Sequence, residues 1–145
     1  MFNNLSPHFT VEQFQHSDTA NNLHIVNIMN QEQISNAVLL CNTILEPIHA
    51  HIGMTMDSGY RCPELNRDLR GACNSQHQYG QAADILPINM PLNVFFQKIL
   101  NLHLPFDQII HEMTWVHISY NGKNGRHEIL EAYKDTYGKI LYRYI

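Results

Sequence analysis

Charged side chains are scarce in this sequence, and neither sign is in large excess. Asp, Glu, Lys and Arg make up 15% of the 145 residues, and nine basic residues against thirteen acidic ones leave a net charge of −4. Proteins that bind nucleic acids through the phosphate backbone carry clustered lysines and arginines. Because the sequence lacks such clusters, we predict that nucleic acid is not a partner.

Long apolar runs are also missing. No stretch reaches the roughly 20 apolar residues of a transmembrane helix. The first residues also lack the basic segment and the apolar segment that together mark a signal peptide. We therefore expect no membrane partner, and synthesis in the cytoplasm without a signal peptide.

Cysteines are few. Cys41, Cys62 and Cys73 are the three present, and no two of them have the Cys-x-x-Cys spacing of a metal site. An odd number of widely spaced cysteines argues against a disulfide framework and is compatible with a reducing compartment. Cys41 lies in an apolar stretch with helical spacing, which predicts a place in the core.

The remaining composition is typical of a globular protein. Hydrophobic residues make up 44% of the chain, and there is no internal repeat, linker or low-complexity segment. A chain of this length buries roughly two-thirds of its unfolded surface in one core. We predict one domain over residues 1–145 and expect it to be a monomer.

Helices are predicted mainly in the first half of the chain. Thr10 is suited to cap a short helix over residues 11–16, and apolar side chains at helical spacing predict a longer helix from Gln31. Pro47 is expected to kink the end of this helix, and Gly53 to end it. Further short helices are predicted over residues 63–69 and 91–100, each beginning at a proline.

Strands are predicted mainly in the second half, where apolar and polar residues alternate. Their predicted ranges are 54–58, 82–86, 106–111, 115–120, 128–133 and 139–144. Residues 121–125, Asn-Gly-Lys-Asn-Gly, are typical of a turn between hairpin partners. The predicted fold class is α+β, with N-terminal helices packed on a mostly antiparallel sheet that carries the functional site on its face.

Two segments contain the side chains of a candidate metal site. The first segment is residues 75–84, Ser-Gln-His-Gln-Tyr-Gly-Gln-Ala-Ala-Asp. His77 is predicted to lie on a loop, where Gly80 permits a sharp turn of the backbone. Asp84 is predicted to lie on a short strand. His117 lies in the alternating run of residues 115–120. A catalytic zinc ion commonly takes three protein ligands and leaves one position open. The metal ligands are therefore predicted to be His77, Asp84 and His117, and the cofactor to be Zn²⁺.

The same segments resemble a known family. Ser-Gly-Tyr-Arg at 58–61, Ser-x-His-x-x-Gly-x-Ala-x-Asp at 75–84 and Trp-Val-His at 115–117 are similar to motifs of the zinc D-alanyl-D-alanine carboxypeptidases. That family includes bacterial cell-wall peptidases and phage endolysins. Leu-Ser-Pro-His-Phe-Thr at 5–10 and Phe-Asp-Gln-Ile-Ile at 106–110 resemble its small single-domain branch. The resemblance covers nearly the whole chain to about Tyr120 and weakens after it.

The resemblance implies a function, a substrate and a fold. It implies a zinc metallopeptidase with the fold of the hedgehog signalling domain, acting on an amide bond of peptidoglycan stem peptides. The enzyme would be either a D-Ala-D-Ala carboxypeptidase or an endolysin-type endopeptidase, active at the bacterial cell wall if it is released. Zinc would polarise the scissile carbonyl and make a bound water nucleophilic near neutral pH.

The general base is expected to be Glu112. Many relatives place a glutamate three residues before the second histidine, where this chain has Thr114, whereas the small branch usually has it slightly earlier. A tight turn at residues 113–114 would bring the Glu112 carboxylate to the reacting water. The alternative is a strand-end glutamate in solvent. Asp107 is expected to cap or orient a loop, and His111 either to aid the site or to flank the strand.

Arg61 is expected to act in catalysis and to bind a carboxylate of the substrate. It resembles the substrate-anchoring arginine of the family, and a guanidinium can bind a carboxylate through two hydrogen bonds. The alternative is a structural ion pair with Asp57 or Glu64.

Ser75, Tyr60 and Trp115 are also predicted to contact substrate. Ser75 is expected to hydrogen-bond either the substrate or the His77 loop, with capping of a turn as the alternative. Tyr60 and Trp115, together with Tyr79, are expected to line the cleft, and the alternative for each of these aromatic side chains is packing in the fold.

A second interpretation of the whole chain remains open. Thr114 in place of a glutamate is also compatible with a non-catalytic module that binds the cell wall or forms part of a phage particle, with zinc as a structural ion.

Overall fold

The computed structural model describes residues 3–123 and 125–145, and within them a six-stranded sheet forms the centre of the molecule. The helices in chain order are α1 (Val11–Gln15), α2 (Asp18–Asn22), α3 (Gln31–Leu40), α4 (Glu46–His51), α5 (Pro63–Asp68) and α6 (Leu92–Leu100). The strands are β1 (Asn4–Ser6), β2 (Phe9–Thr10), β3 (Thr55–Ser58), β4 (Ala82–Leu86), β5 (Gln108–His111), β6 (Val116–Ser119), β7 (Glu128–Lys134) and β8 (Ile140–Tyr144). Each strand predicted from alternation is present, and its ends are shifted by at most two residues.

Reciprocal caps fix where the first helices begin. The Thr10 hydroxyl accepts a hydrogen bond from the backbone of Gln13, and the Gln13 side chain accepts one from the backbone of Thr10. Asn30 and Gln33 form the same arrangement at the start of α3. Each of these arrangements is a capping box, which satisfies two backbone N–H donors that would otherwise be unpaired at the start of a helix. The predicted cap at Thr10 is therefore confirmed.

The predicted long helix continues to His51 but contains one π turn, Cys41–Leu45. Pro47 has no backbone N–H and cannot extend the ordinary i to i−4 pattern. The backbone N–H of Glu46 bonds instead to the oxygen of Cys41, five residues earlier. The irregularity expected at Pro47 is thus a change of hydrogen-bond register just before it. Gly53, with φ of 81°, ends the segment as predicted.

The sheet has the strand order β3-β4-β6-β5-β7-β8. All neighbouring pairs are antiparallel except β5 and β7, which run parallel. β1 and β2 form a separate two-stranded sheet. The predicted class, α+β with a mostly antiparallel sheet, is confirmed.

The turn predicted at residues 121–125 does not join hairpin partners. β7 does not pair with β6, which precedes it, but lies parallel to β5, with Gln108 opposite Glu128. An added Cβ at Gly125 would lie 2.5 Å from the Asp107 Cα, so the connection passes closely over the start of β5. Local turn residues indicate a turn but not the next strand's partner, which is why the prediction was wrong. Asn124 lies outside the described residues.

Side chains of the central strands alternate between two faces, as the pleat requires. One face packs against the helices and contributes fully buried Ala83, Ile85, Ile109, Val116 and Ile118. Cys41 lies in the same core, as predicted, and burial raises the pKa of its thiol to about 12.

The other face opens onto a cleft lined by Asp84, Ile110, His117 and Leu130. No helix in the described parts of the chain has the length and apolar composition needed to cross a bilayer.

Candidate active site

Two of the predicted metal ligands are neighbours because of the sheet register. Asp84 on β4 lies directly opposite His117 on β6, so both side chains point from the same face. His117 Nδ1 lies 3.1 Å from Asp84 Oδ1. Residues 33 positions apart in the chain are thus brought together by backbone pairing alone.

His77 reaches the same point from a loop that α3 supports. The residues around it form a single 3₁₀ turn, Gln76–Tyr79, capped by the Ser75 hydroxyl, which accepts from the His77 backbone N–H at 3.3 Å. Gly80 ends the turn with φ of 73°, in the left-handed region that favours glycine. The Gln33 side chain donates to the backbone oxygen of Gln78 at 3.1 Å. The loop is therefore held by its own cap and by α3.

The His77 ring is oriented by a backbone carbonyl. Its Nδ1 lies 2.6 Å from the oxygen of Gly59, which can only accept, so Nδ1 carries the proton. In the neutral ring, Nε2 then presents a lone pair, and it lies 3.2 Å from Asp84 Oδ1. Metal-binding histidines commonly have the second nitrogen fixed in this way. Sequence reasoning expected such a partner without naming it, and it is the carbonyl of Gly59.

The three donor groups fit a divalent metal ion. One ligand atom each from His77, Asp84 and His117 lies within 4.8 Å of the others, and His77 and Asp84 are buried. Burial lowers the pKa of His77, although the Asp84 carboxylate opposes this shift. Burial alone would raise the pKa of Asp84, but His77 and His117 hold it far below its usual range. Both shifts favour the deprotonated forms that bind metal, and two imidazoles with one carboxylate are a common zinc donor set.

Arg61 contacts one of these groups. Its Nη2 donates to Asp84 Oδ2 at 2.8 Å, and its Nε donates to the Ser58 hydroxyl at 3.3 Å. The ion pair considered as an alternative therefore exists, but its partner is Asp84 and not Asp57 or Glu64. Because Oδ2 is occupied by Arg61, the other oxygen, Oδ1, is the one turned toward the two histidines.

The site lies in a cleft of about 1190 Å³. Three of the residues predicted to contact substrate, Arg61, Ser75 and Trp115, line this cleft. Tyr60 does not, because it is only 4% exposed and packs in the hydrophobic core. Tyr79, half exposed, is not part of the cleft wall that the described residues form. The placement of Tyr60 contradicts a substrate contact for this residue.

Glu112 lies in the cleft and is not in open solvent. Its backbone N–H bonds to the oxygen of Trp115 at 3.0 Å, which closes the tight turn expected at residues 113–114. The residue is 8% exposed, and the Tyr142 hydroxyl donates to its Oε2 at 3.0 Å. Burial raises the pKa of Glu112, and the hydrogen bond from Tyr142 partly offsets this shift. The alternative of a solvated strand-end glutamate is therefore contradicted.

The two other acid–base candidates near the site have different positions. Asp107 accepts hydrogen bonds from the backbone and the guanidinium of Arg126, so it orients the segment before β7, as expected. His111 packs edge-on against Phe96 and lines a separate groove with Ile129. Of the two roles considered for His111, the structure favours flanking the strand.

Sequence reasoning did not identify Tyr142 and Arg126 as residues of the cleft wall. Tyr142 contacts Glu112 from 30 residues away, and Arg126 joins Asp107 to Gln76 beside the His77 loop. Both lie after Tyr120, where the resemblance to a known family weakens, and these contacts join residues at least 19 positions apart. Only the pairing of β7 with β5 brings these residues to the cleft.

A second histidine–carboxylate cluster lies elsewhere. His8, Glu46 and His49 also offer ligand atoms within 4.8 Å of one another. The two Glu46 oxygens already accept from the Ser6 hydroxyl, the His8 backbone and His8 Nδ1. These contacts connect the turn between β1 and β2 to α4 and account for the cluster without a metal.

Comparison with protein-family models gives a match that covers most of the chain. A family model described as Peptidase M15 matches residues 7–119. The matched range contains His77, Asp84, Glu112 and His117 and ends before β7 and β8. A search of curated proteins found no match.

Proposed function

The chain belongs to the M15 peptidase family, and we propose that it is a zinc metallopeptidase that hydrolyses amide bonds in peptidoglycan stem peptides. The observation that carries this proposal is the meeting of His77, Asp84 and His117 in one cleft that also holds the buried carboxylate of Glu112. A set of three metal-ligating groups with a further carboxylate in the same cleft is typical of the active site of a metal-assisted hydrolase.

His77 Nε2, an oxygen of Asp84 and His117 Nδ1 are the proposed ligands of the zinc ion. When bound there, zinc would polarise the scissile carbonyl and lower the pKa of a coordinated water. The protein's own contribution is to hold the ligand atoms in place. The Gly59 carbonyl fixes the His77 ring, and Arg61 fixes the Asp84 carboxylate.

Glu112 is the proposed general base. Its carboxylate accepts a proton as the oxygen of water forms a bond to the scissile carbonyl carbon. It then passes that proton to the amide nitrogen as the carbon–nitrogen bond breaks, so that a free amine leaves. Burial raises the pKa of Glu112 toward neutral pH. The group can then accept a proton as a carboxylate and donate it again as a carboxylic acid.

Arg61 is the proposed anchor for a substrate carboxylate. One guanidinium nitrogen is used by Asp84, but a guanidinium has five N–H donors, so others remain for a peptide carboxylate in the cleft. Ser75 and Trp115 line the same cleft and are proposed to contact the peptide. Either a D-Ala-D-Ala carboxypeptidase or an endolysin-type endopeptidase is compatible with this arrangement.

The proposed catalytic unit is one domain over residues 1–145, acting as a monomer at the bacterial cell wall. The six-stranded sheet, whose two faces carry the helical core and the cleft, supports the single-domain part of this proposal.

A cell-wall-binding module with structural zinc is the competing function. Structural zinc sites usually have four protein ligands and are closed. Here three ligand groups meet at the wall of an open cleft with a buried glutamate beside it, which favours catalysis.

Digestion of purified peptidoglycan by the zinc-loaded protein, followed by mass spectrometry of the released muropeptides, tests the proposal. We expect products that are one water heavier in total than their precursor. Release of free alanine identifies a carboxypeptidase, and separated stem peptides identify an endopeptidase. The Asp84→Ala variant is the control for contaminating hydrolases. Intact muropeptides with both proteins, together with retention of the wild type on peptidoglycan, would contradict hydrolysis and support the binding module.

A further inference from the structure

The C-terminal hairpin of β7 and β8 lies beyond the residues that match the family model, yet it reaches the cleft. Leu130 of β7 and Tyr142 of β8 both line the cleft with Glu112. The Tyr142 hydroxyl donates to Glu112 Oε2 at 3.0 Å, across 30 residues of sequence. The hairpin therefore contacts the proposed base directly.

Strand register explains why this contact forms. β5 and β7 are parallel with His111 opposite Glu131, so Glu112, the next residue, comes level with Ala132. Ala132 in turn lies opposite Tyr142 on β8. Neighbouring strands are about 4.8 Å apart, so two spacings separate Glu112 from Tyr142. The short side chain of Ala132 leaves room for the long phenol to reach across.

We propose that Tyr142 is a positioning residue that holds the carboxylate of Glu112 in its reactive orientation. This inference rests on the proposed function, in which Glu112 is the general base. With Oε2 accepting from Tyr142, the other oxygen, Oε1, takes the proton of the attacking water. A side-chain carboxylate held by one hydrogen bond loses less freedom on reaching the transition state, which favours catalysis.

The charged groups around Glu112 come from several elements. Tyr142 faces it from β8, His117 from β6, Asp84 from β4, and Arg61 from the segment before α5. Burial raises the pKa of Tyr142 to about 12, and the nearby Glu112 carboxylate adds to this shift. The Tyr142 hydroxyl therefore stays protonated at neutral pH and remains a donor.

If the hydrogen bond of Tyr142 were purely structural, its removal would have a different effect on catalysis from the one that a positioning role predicts. Tyr144 provides the comparison, because it lies two residues further on β8 and its hydroxyl donates to Glu128 Oε2 at 2.8 Å. Tyr144 is 72% exposed and is not part of the cleft wall. Tyr142→Phe and Tyr144→Phe each remove one tyrosine–carboxylate hydrogen bond from the same strand, and only the first should affect catalysis.

The test measures peptide hydrolysis by both zinc-loaded variants, with matched zinc content and circular dichroism. For Tyr142→Phe we expect kcat to fall roughly ten- to hundredfold, the effect of losing a hydrogen bond to a charged group. KM should change little, and the acidic limb of the kcat/KM profile should move to higher pH, because the hydrogen bond from Tyr142 lowers the pKa of Glu112. Tyr144→Phe should behave as wild type. Equal kcat and equal pH profiles in the two variants would overturn the positioning role.

A titration that needs no turnover separates this proposal from the proposed function. Carbon-13 NMR of the Glu112 carboxyl group in wild type and Tyr142→Phe reports its pKa directly. We expect a higher pKa in Tyr142→Phe and none of this rise in Tyr144→Phe. An unchanged pKa in Tyr142→Phe would overturn the Tyr142 inference even in an active enzyme. Failure of the wild type to hydrolyse any peptide would instead contradict the proposed function.

Discussion

At the residue scale, the two oxygens of the Asp84 carboxylate have different partners. Oδ2 accepts from Arg61, while Oδ1 lies 3.2 Å from His77 Nε2 and 3.1 Å from His117 Nδ1. The His77 proton is on Nδ1, where it binds the Gly59 carbonyl, so a lone pair and a carboxylate oxygen face each other. Two such acceptors at this distance repel unless a cation or proton lies between them. This pairing is the local reason to expect a metal ion.

Substitution of the proposed ligands should lower zinc occupancy. His77→Ala or Asp84→Ala removes one of three ligand groups. Loss of a partner that only orients a ligand costs roughly 10- to 100-fold in metal affinity, so loss of a ligand should cost at least that. Inductively coupled plasma mass spectrometry of dialysed protein measures the zinc content. His111→Ala is the matched control, because His111 faces the groove on the other side of the sheet. Equal zinc content in all variants would refute the ligand assignment.

The side chains of the candidate metal site could be predicted from the sequence, but their supporting partners could not. His77, Asp84 and His117 follow from motif spacing and strand alternation. The burial of Glu112 and its contact with Tyr142 depend on β7 pairing with β5, which no local pattern indicates. Tyr60 was predicted to line the cleft, whereas its side chain packs in the core.

At the scale of elements, the His77 loop is held in place by close contact with α3. An added Cβ at Gly80 would lie 2.4 Å from the backbone oxygen of Gln33, in addition to the strain of a positive φ. The capping box that begins α3 also includes Gln33. The position of the candidate metal site therefore depends on the start of a helix that contributes none of the proposed ligands.

Gly80→Ala should destabilise the fold more than a glycine substitution in open space. A left-handed backbone costs alanine about 1–2 kcal/mol, and the clash with Gln33 should add about 1–3 kcal/mol. Gly138→Ala is the matched control, because its φ is 80° and an added Cβ meets nothing within 4 Å. Urea unfolding measures both free energies. Equal losses in the two variants would show that the contact with Gln33 does not hold the loop.

The elements themselves were largely predictable, whereas their order in the sheet was not. Caps, prolines and alternation located α1, β4 and β6 closely. The residues at 121–125 indicated a hairpin, but the chain passes over Asp107 and adds β7 on the far side of β5. The position that β7 takes in the sheet depends on which strand edge offers free backbone groups and apolar contacts. A single sequence does not reveal that edge.

At the scale of the whole molecule, one buried acid connects the sheet to the C-terminal hairpin. Asp107, 3% exposed, accepts from the backbone of Arg126 at 2.8 Å and from its Nη2 at 2.9 Å. Burial alone would raise the pKa of Asp107, but the hydrogen bonds from Arg126 lower it below its usual value. A lowered folded-state pKa stabilises the protein above about pH 4, and this contribution is lost as pH falls further.

Asp107→Asn should therefore lower the free energy of unfolding at pH 7, and it should lower it much less at pH 3. A charged hydrogen bond contributes about 1.5–3 kcal/mol, and the half-exposed Arg126 places this one toward the lower end. Urea unfolding at both pH values gives the difference from wild type. Glu131→Gln, which removes the exposed pair with Arg143, should cost about 0.5 kcal/mol or less at either pH. A loss in Asp107→Asn that is the same at pH 3 and pH 7 would contradict this origin.

Whether the whole assembly cuts a peptide depends on the Glu112 carboxylate beside the metal ligands. The decisive measurement compares kcat/KM for peptidoglycan peptides between wild type and Glu112→Gln, both with equal zinc content. Glutamine keeps the shape and can still accept from Tyr142, but it cannot take the proton of water. We expect kcat/KM to fall about 10²- to 10⁴-fold. Hydrolysis at the wild-type rate by Glu112→Gln would contradict Glu112 as the base, and a wild type that cuts no peptide would contradict the peptidase itself.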